Sequence, residues 1–318
     1  MISSPDISVL IATRDRDRLL ESTLLSFCKQ TLSNKQWEVI VVDNGSQDET
    51  RKALSCFLNR LPLTVLYEST PSKTRALNRA MQIARGRMFA FTDDDVEVCS
   101  TWLAEIYRAS SEWATDKIFC GPIHPIYPPG TPPWLMAPPY SGYAYGRFEL
   151  GATEGPIGKL PFGANFAVRA DTMENVRFCV EVGPSGRTYR IGGETELLQR
   201  LTSRGLRVIY LPSCSVNHFI RRCQVREMWL YKRSFCYGRG MQYLHGNGQD
   251  KDLVLGLPRR GIVLLQTLAK RFARSVFRGK HERYNAGSQL AYMLGVLYEH
   301  RLKAHQLLRG AAFCNTRS

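Results

Sequence analysis

The chain has 318 residues, 44% hydrophobic and 22% charged, which supplies core for one large or two modest globular domains and excludes a disordered chain. Its 43 Lys and Arg outweigh 28 Asp and Glu, and residues 251–318 alone hold 13 cations against three acids (Asp252, Glu282 and Glu299), so an anionic partner, nucleic acid or membrane face, is in play. No apolar run approaches the ~18–20 residues of a membrane span, no basic-then-apolar leader opens the chain, and the nine cysteines form no CxxC pair; neither a signal peptide, a transmembrane helix nor a disulfide scaffold is expected, and the thiols read as reduced and cytosolic.

The first hundred residues alternate. ISVLIAT (Ile7 to Thr13) reads as a strand and RLLESTLLSFCKQ (Arg18 to Gln30) as a helix. WEVIVVD (Trp37 to Asp43) is a second strand, followed by a helix from about Asp48 to Leu58. LTVLYE (Leu63 to Glu68) is a third strand, TRALNRAMQIARG (Thr74 to Gly86) a helix closed by glycine, and MFAFT (Met88 to Thr92) a fourth strand. Continuous apolar strands separated by helices predict an α/β fold with a mostly parallel sheet and helices on both faces. Gly121 to Tyr140 carries eight of the sixteen prolines and reads as loop and extended chain. LPFGANFAVRAD (Leu160 to Asp171) is another strand, GGETELLQRLTSRG (Gly192 to Gly205) a helix between glycines, and RVIYLP (Arg207 to Pro212) a strand ended by proline; from Val225 on, helices dominate. The domains expected are 1–224, divided into halves 1–120 and 121–224, and a basic helical region 225–318.

Polar residues gather where strands end: Thr13 and Arg14, Asp43, then Asp93, Asp94 and Asp95 in FTDDDVEV. Ligands of open parallel sheets bind at the carboxyl ends of the strands, so these turns should share one edge. Three adjacent carboxylates repel one another and are costly to bury; they are either a solvated turn or a place for something positive, such as a divalent ion with phosphate oxygens. Asp43 is either a ribose or base contact or a cap for the NGSQD turn, where Asp48 is the better cap. Lys73 and Arg75 are either phosphate partners or basic surface. Glu194 is either a general base or a helix cap, and Glu196, its neighbour, suits solvent or a salt bridge. A zinc site from Cys214, His218 and Cys223 lacks a fourth ligand and a known spacing. Neither GxxxxGK[ST], GxGxxG after the first strand, GxSxG nor HExxH is present, which removes support from P-loop hydrolysis, hydride transfer and serine hydrolysis.

In order, ISVLIATRDR, VIVVDNGSQD, SKTRALNRAMQIARG, FTDDD, GANFAVR, GGETELLQRL and VNH together resemble family 2 glycosyltransferases of the GT-A fold, over roughly Ile7 to Phe219. The resemblance implies an inverting transferase that uses a nucleotide-diphosphate sugar and Mg²⁺ or Mn²⁺. Carried over by position, it implies donor contacts from Thr13, Arg14, Asp43, Lys73, Arg75, Asp93 and Asp94, and a wall between donor and acceptor that includes Asn165 and Arg169. It implies metal contacts from Asp95, Asp93 and His218, and a catalytic base at Glu194, with Glu196 the rival. The acceptor stays open among glycan, glycolipid and small molecule, in cell-surface glycan or glycolipid synthesis.

Within the basic region, Ile262 to Arg278 separates on a helical wheel. Ile262, Leu265, Leu268, Ala269, Phe272 and Val276 fall on one side, and Lys270, Arg271, Arg274 and Arg278 on the other. This suits either an interfacial helix on anionic lipid or a helix packed on the protein with a solvated basic face. The protein is expected in the cytoplasm, with a peripheral place on the cytoplasmic membrane face open. Nucleic acid is not an expected partner, since no aromatic platform interleaves the basic residues. The competing readings are a nucleotidyltransferase, which would want a glycine-rich loop where this chain has TRDRDR, and a non-catalytic nucleotide-sugar or nucleic-acid-binding protein.

Overall fold

The computed structural model describes residues 4–185, 189–245 and 259–314. Strands β1 (Ile7–Thr13) and β2 (Trp37–Asp43) are buried at every position, as strands covered on both faces must be. They pair in parallel, with Thr13 beside Asp43. β3 (Leu63–Tyr67) lies parallel on the far side of β2, and β4 (Met88–Thr92) lies parallel on the far side of β1. Helices α1 (Asp17–Phe27), α2 (Thr50–Ser55) and α3 (Lys73–Ile83) make the crossovers. The carboxyl ends of β1, β2 and β4 therefore meet on one edge, as the polar turns in the sequence require.

Beyond β4 the chain forms β5 (Val96–Val98), α4 (Trp102–Glu112), β6 (Ile118–Cys120) and β7 (Ile123–Ile126), then the short helix α5 (Tyr140–Tyr143), β8 (Gly155–Ile157) and β9 (Asn165–Arg169). α6 (Gly193–Thr202), β10 (Val208–Tyr210) and β11 (Val216–Phe219) follow. The main sheet has eight strands in the order β3-β2-β1-β4-β9-β6-β10-β8, and a small sheet has the order β5-β11-β7. In the main sheet β9 runs against β4 and β6, and β8 against β10, while the other pairs are parallel; in the small sheet β11 runs against β5 and parallel to β7. The core is continuous across the main sheet. Phe27 of α1 lies 6.0 Å from both Trp37 of β2 and Trp102 of α4, so bulky rings fasten both helices to the strands.

One glycine works differently from the sequence reading. α3 ends at Ile83, not at Gly86. A Cβ on Gly86 would lie 2.4 Å from the backbone nitrogen of Ser8, so this glycine permits the close approach of the α3–β4 connection to β1.

Two compact units divide the chain: one runs through Thr188 and resumes over Gly193–Ile220, and the other joins Tyr189–Gly192 to the residues from Arg221 on. The second unit is helical, with α7 (Glu227–His245), α8 (Arg259–Ser275) and α9 (Lys280–Cys314). Among the described residues no helix is long and apolar enough to cross a membrane. Part of the apolar stripe of α8 turns inward: Phe272 packs edge-on to Tyr231 of α7 at 6.0 Å, and Leu265 and Leu268 are half-buried. The side chain of Ile262 lies outside the described residues.

Candidate active site

The acidic turn follows β4 directly, and two cations of the chain itself meet it. Arg16, just past β1, donates through Nη1 to Asp94 Oδ1 and Asp95 Oδ2, each at 2.6 Å. Thr13 Oγ1 donates to Asp94 Oδ2 at 2.7 Å. Lys73 Nζ reaches Asp93 Oδ1 at 2.5 Å and Glu194 Oε1 at 2.6 Å, so one ammonium joins the acidic turn to the start of α6. Three neighbouring carboxylates are tolerable because Arg16 and Lys73 share their charge.

The position of Lys73 is built by its neighbours. Asn44, in the turn after β2, gives its amide to the carbonyls of Glu68 and Thr70 and accepts from Ser72 N at 2.7 Å. Ser72 then caps α3, and Lys73 is the first residue of that helix. Glu194 lies in the first turn of α6, where a carboxylate is favoured. Its side chain rests on Gly163, where a Cβ would lie 2.6 Å from Glu194 Cδ. Glu196 faces elsewhere and pairs with Arg200 one turn on, at 2.5 and 2.9 Å.

Charge and burial set the ionisation of the group. Burial, and behind it Asp95 and Asp93, push Asp94 up to about 6 against the pull of Arg16. Burial works the same way on Asp95, but His218, Arg16 and Lys73 hold it below the usual carboxylate range. Burial would lower Lys73, and the facing carboxylates of Asp93 and Glu194 raise it instead. His218, on β11, is held by Tyr145, whose carbonyl lies 3.0 Å from Nδ1. Its Nε2 lies 3.5 Å from Asp95 Oδ1, too long for a good hydrogen bond, and that buried oxygen has no hydrogen-bond partner among the described residues.

This pair is the test for a metal. With Nδ1–H given to a carbonyl, the neutral form of the ring would present a lone pair at Nε2, and Asp95 Oδ1 presents another. An imidazole nitrogen and a hard oxygen with unspent lone pairs suit a divalent ion that takes its other ligands from water and a diphosphate. Among the described residues no three His, Cys, Asp or Glu side chains already converge as a metal cluster. Cys214, weighed above as part of a zinc site, directs its thiol to the Trp102 carbonyl at 3.7 Å.

Several residues named from the sequence lie elsewhere. Arg14 is half-exposed and pairs with its neighbour Asp15. Asp43 borders Thr13 in register, but its carboxylate caps Ser46 N at 2.8 Å and meets Arg51 Nε at 3.2 Å, and that guanidinium lies over the Tyr67 ring. Arg75 is exposed, and its backbone nitrogen serves the Ser72 cap. Two expectations are corrected. Asn165 lies beside Thr92 at the correct edge, but its amide is spent inside the core: it accepts from Trp102 Nε1 and donates to the Pro122 and Cys214 carbonyls. It fastens α4 and the β10–β11 turn to the sheet, so its amide already has partners within the core. Arg169 sits at the opposite edge, beside Met88, because β9 runs antiparallel; it binds the Asp116 carbonyl at 2.7 Å and also the Ser110 carbonyl. Conversely, Arg16 and Asn44 were missed. The signal for Arg16 was there: TRDRDR offers several arginines, and Asp15, with a φ of 52°, turns the chain so that Arg16 points in.

The family model described as Glycosyl transferase family 2 matches residues 8–176, which span β1 to β9 and the whole acidic turn. The chain belongs to glycosyl transferase family 2. Among curated members, Glycosyltransferase AglE of Haloferax volcanii is 25% identical over 240 residues, 74% of this chain and 73% of that one. Validoxylamine A glucosyltransferase of Streptomyces hygroscopicus subsp. limoneus is 29% identical over 119 residues, but the match spans only 26% of its length. Among solved structures, the mannosyltransferase PcManGT of Pyrobaculum calidifontis in complex with GDP-Man and Mn²⁺ superposes with a TM-score of 0.60 at 17% identity, over 94% of this chain and 87% of that one. S. aureus TarS 1–349 in complex with UDP gives a TM-score of 0.53 at 13% identity, over 90% of each chain. The mixed sheet is thus of the GT-A fold, and the chain is a glycosyltransferase.

Proposed function

We propose that this family 2 enzyme transfers a sugar from a nucleoside-diphosphate donor to an acceptor hydroxyl with inversion, Glu194 serving as the base. One observation carries the reading: Lys73 ties Glu194 to Asp93, so base and acidic turn face a common space at the carboxyl edge of the sheet. Glu194 takes the proton of the acceptor hydroxyl as that oxygen attacks the anomeric carbon, and the bond to the diphosphate breaks on the far side. Lys73 holds both Glu194 and Asp93 until a diphosphate competes for its ammonium; the Glu194 carboxylate then accepts the proton. Asp95 and His218, with Asp93, would hold Mg²⁺ or Mn²⁺, which would neutralise charge on the departing diphosphate. Thr13 and Arg16 keep Asp94 and Asp95 in place. The exposed pair Arg51–Tyr67 next to Asp43 is the platform for the nucleoside end. The acceptor is a glycan, a glycolipid or a small molecule carrying a free hydroxyl.

The test is a thermal-shift series with UDP, GDP, dTDP and CMP, each with and without Mn²⁺, followed by product analysis with the corresponding sugar donors. A ligand at a hundred times its Kd stabilises by about 2.7 kcal/mol. One nucleotide should give a Mn²⁺-dependent shift that Asp95→Ala loses, and its sugar donor should release that nucleotide intact. Release of pyrophosphate from a nucleoside triphosphate and a sugar phosphate, with no nucleotide released from the sugar donors, would make the protein a nucleotidyltransferase, and no shift with any nucleotide would remove the donor site.

A further inference from the structure

The last basic segment carries a surface that transferase chemistry does not use. Arg274 lies four residues after Lys270 and three after Arg271 on α8, so the three share one side of the helix, which Arg278 extends into the turn after it. They line a cavity of about 300 Å³ in which Glu282 is the one acid. Arg271 gives a hydrogen bond to Gln289; Lys270, Arg274 and Arg278 have no ion-pair partner among the described residues. At the same tip two apolar side chains stand in water: Val276 is 51% and Phe277 92% exposed. Gly279, with a φ of +96°, turns the chain from there into α9. A phenyl ring left in water is unfavourable, and cations without ion-pair partners among the described residues stand beside it; one environment suits both, an apolar layer under a sheet of negative charge.

We propose that the turn between α8 and α9 docks on an anionic bilayer, with Val276 and Phe277 entering the acyl–headgroup boundary and Lys270, Arg274 and Arg278 meeting lipid phosphates. Charge complementarity selects the membrane's sign. The two apolar side chains select a bilayer over a nucleic acid, whose backbone offers phosphates but no apolar layer for an aliphatic and a phenyl group to enter. The inward half of the α8 stripe, Phe272 on Tyr231, keeps the helix on its own unit, so the tip and the basic face alone are left for lipid. An enzyme held this way would meet its acceptor at the membrane surface, but the docking itself does not depend on the transferase reading and is measured without donor.

The experiment is co-sedimentation with vesicles of phosphatidylcholine alone and of a two-to-one mixture with phosphatidylglycerol, at low and at molar salt. The full chain should sediment with the mixed vesicles at low salt, leave them at high salt, and ignore the neutral ones. R274E/R278E should weaken this binding about twenty-fold or more, because each cation near an anionic surface contributes about five-fold. F277S should weaken it about ten-fold, leaving a residue more sensitive to salt. Since Phe277 is almost wholly exposed, F277S should keep the native circular dichroism spectrum and melting point, so a loss of binding is not a loss of fold. No sedimentation at low salt overturns the proposal. Unchanged binding by R274E/R278E, an F277S variant as good as the parent, or salt-dependent binding to a DNA duplex in place of vesicles does the same.

Discussion

The base proposed at Glu194 must be ionised and aimed, and before a donor arrives two contacts secure this: the Lys73 ammonium on Oε1 and the bare surface of Gly163 beneath its stem. Glu194→Gln should lower kcat by about 10²–10⁴-fold, the usual worth of a positioned base, while nucleotide binding by thermal shift is unchanged. Glu196→Gln is the control: it breaks only the pair with Arg200 within α6, typically worth about 0.3–0.5 kcal/mol, and should leave kcat within about two-fold. If E196Q rather than E194Q stops turnover, the two assignments exchange. Gly163→Ala places a Cβ 2.6 Å from Glu194 Cδ, so the carboxylate must swing away. Steady-state kinetics should then show a fall in kcat with the donor KM held, and the reverse pattern would mean that Gly163 serves the donor. At this scale the sequence exposed the residues whose position follows from the end of a strand: Thr13, Asp93, Asp94, Asp95 and, through the glycine-flanked helix start, Glu194. It did not separate Arg16 from Arg14, because that choice hangs on one positive φ at Asp15, which an aspartate permits but no pattern announces. Nor did it reveal Asn44, whose work is to hold a distant loop.

Elements repeat the lesson. Apolar runs and breakers were enough to read β1 to β4 and the helices between them, since strands buried on both faces leave no ambiguity of period. The direction of β9 was not legible: NFAVR reads the same in either sense, and reversal carries Arg169 from one edge of the sheet to the other. Connections between elements are held by ion pairs that can be tested. Glu154, ahead of β8, accepts from Arg108 Nη2 at 2.6 Å and Trp113 Nε1 at 2.8 Å, both on or next to α4. Burial would raise this carboxyl, but Arg108 and Trp113 hold it below its usual 4.5. A depressed carboxyl stabilises fully above its unfolded value and loses that contribution as pH falls through the folded one. Melting temperatures of Glu154→Gln and the parent should therefore differ at pH 7 and converge as the pH falls below 4.5 and through the depressed folded value; a gap that persists into strong acid would mean lost packing and not lost charge. In the helical unit the stakes are higher. Glu299 is wholly buried between Arg190 and Arg239, at 2.6 to 3.0 Å, and these guanidiniums lie on Tyr243 and Tyr298. Glu299→Ala removes the carboxylate that two buried guanidiniums share and should cost about 3–5 kcal/mol in urea unfolding, whereas an exposed pair would cost almost nothing.

Across the whole molecule, apolar burial is uneven. The sheet unit holds one continuous core that includes Cys120 and Cys214, while the described part of the helical unit fully buries few apolar side chains, among them Leu230, Cys236 and Ala286. Stability follows buried apolar surface, so the two units should open at different denaturant concentrations. The thiols report this without labels: burial raises Cys120, Cys214 and Cys236, so none of the three is a thiolate at neutral pH, whereas Cys28, Cys56 and Cys223 are exposed. In native buffer at pH 8, a thiol reagent read by peptide mass spectrometry should mark Cys28, Cys56 and Cys223 at once. With rising urea Cys236 should follow first, and Cys120 and Cys214 only when the sheet opens. Nucleotide with Mn²⁺ should move the last transition to higher urea and leave that of Cys236 in place, because a ligand stabilises the unit that binds it. Simultaneous labelling of all three buried thiols would mean a single cooperative molecule, and protection of Cys236 by the nucleotide would mean that the helical unit takes part in the donor site.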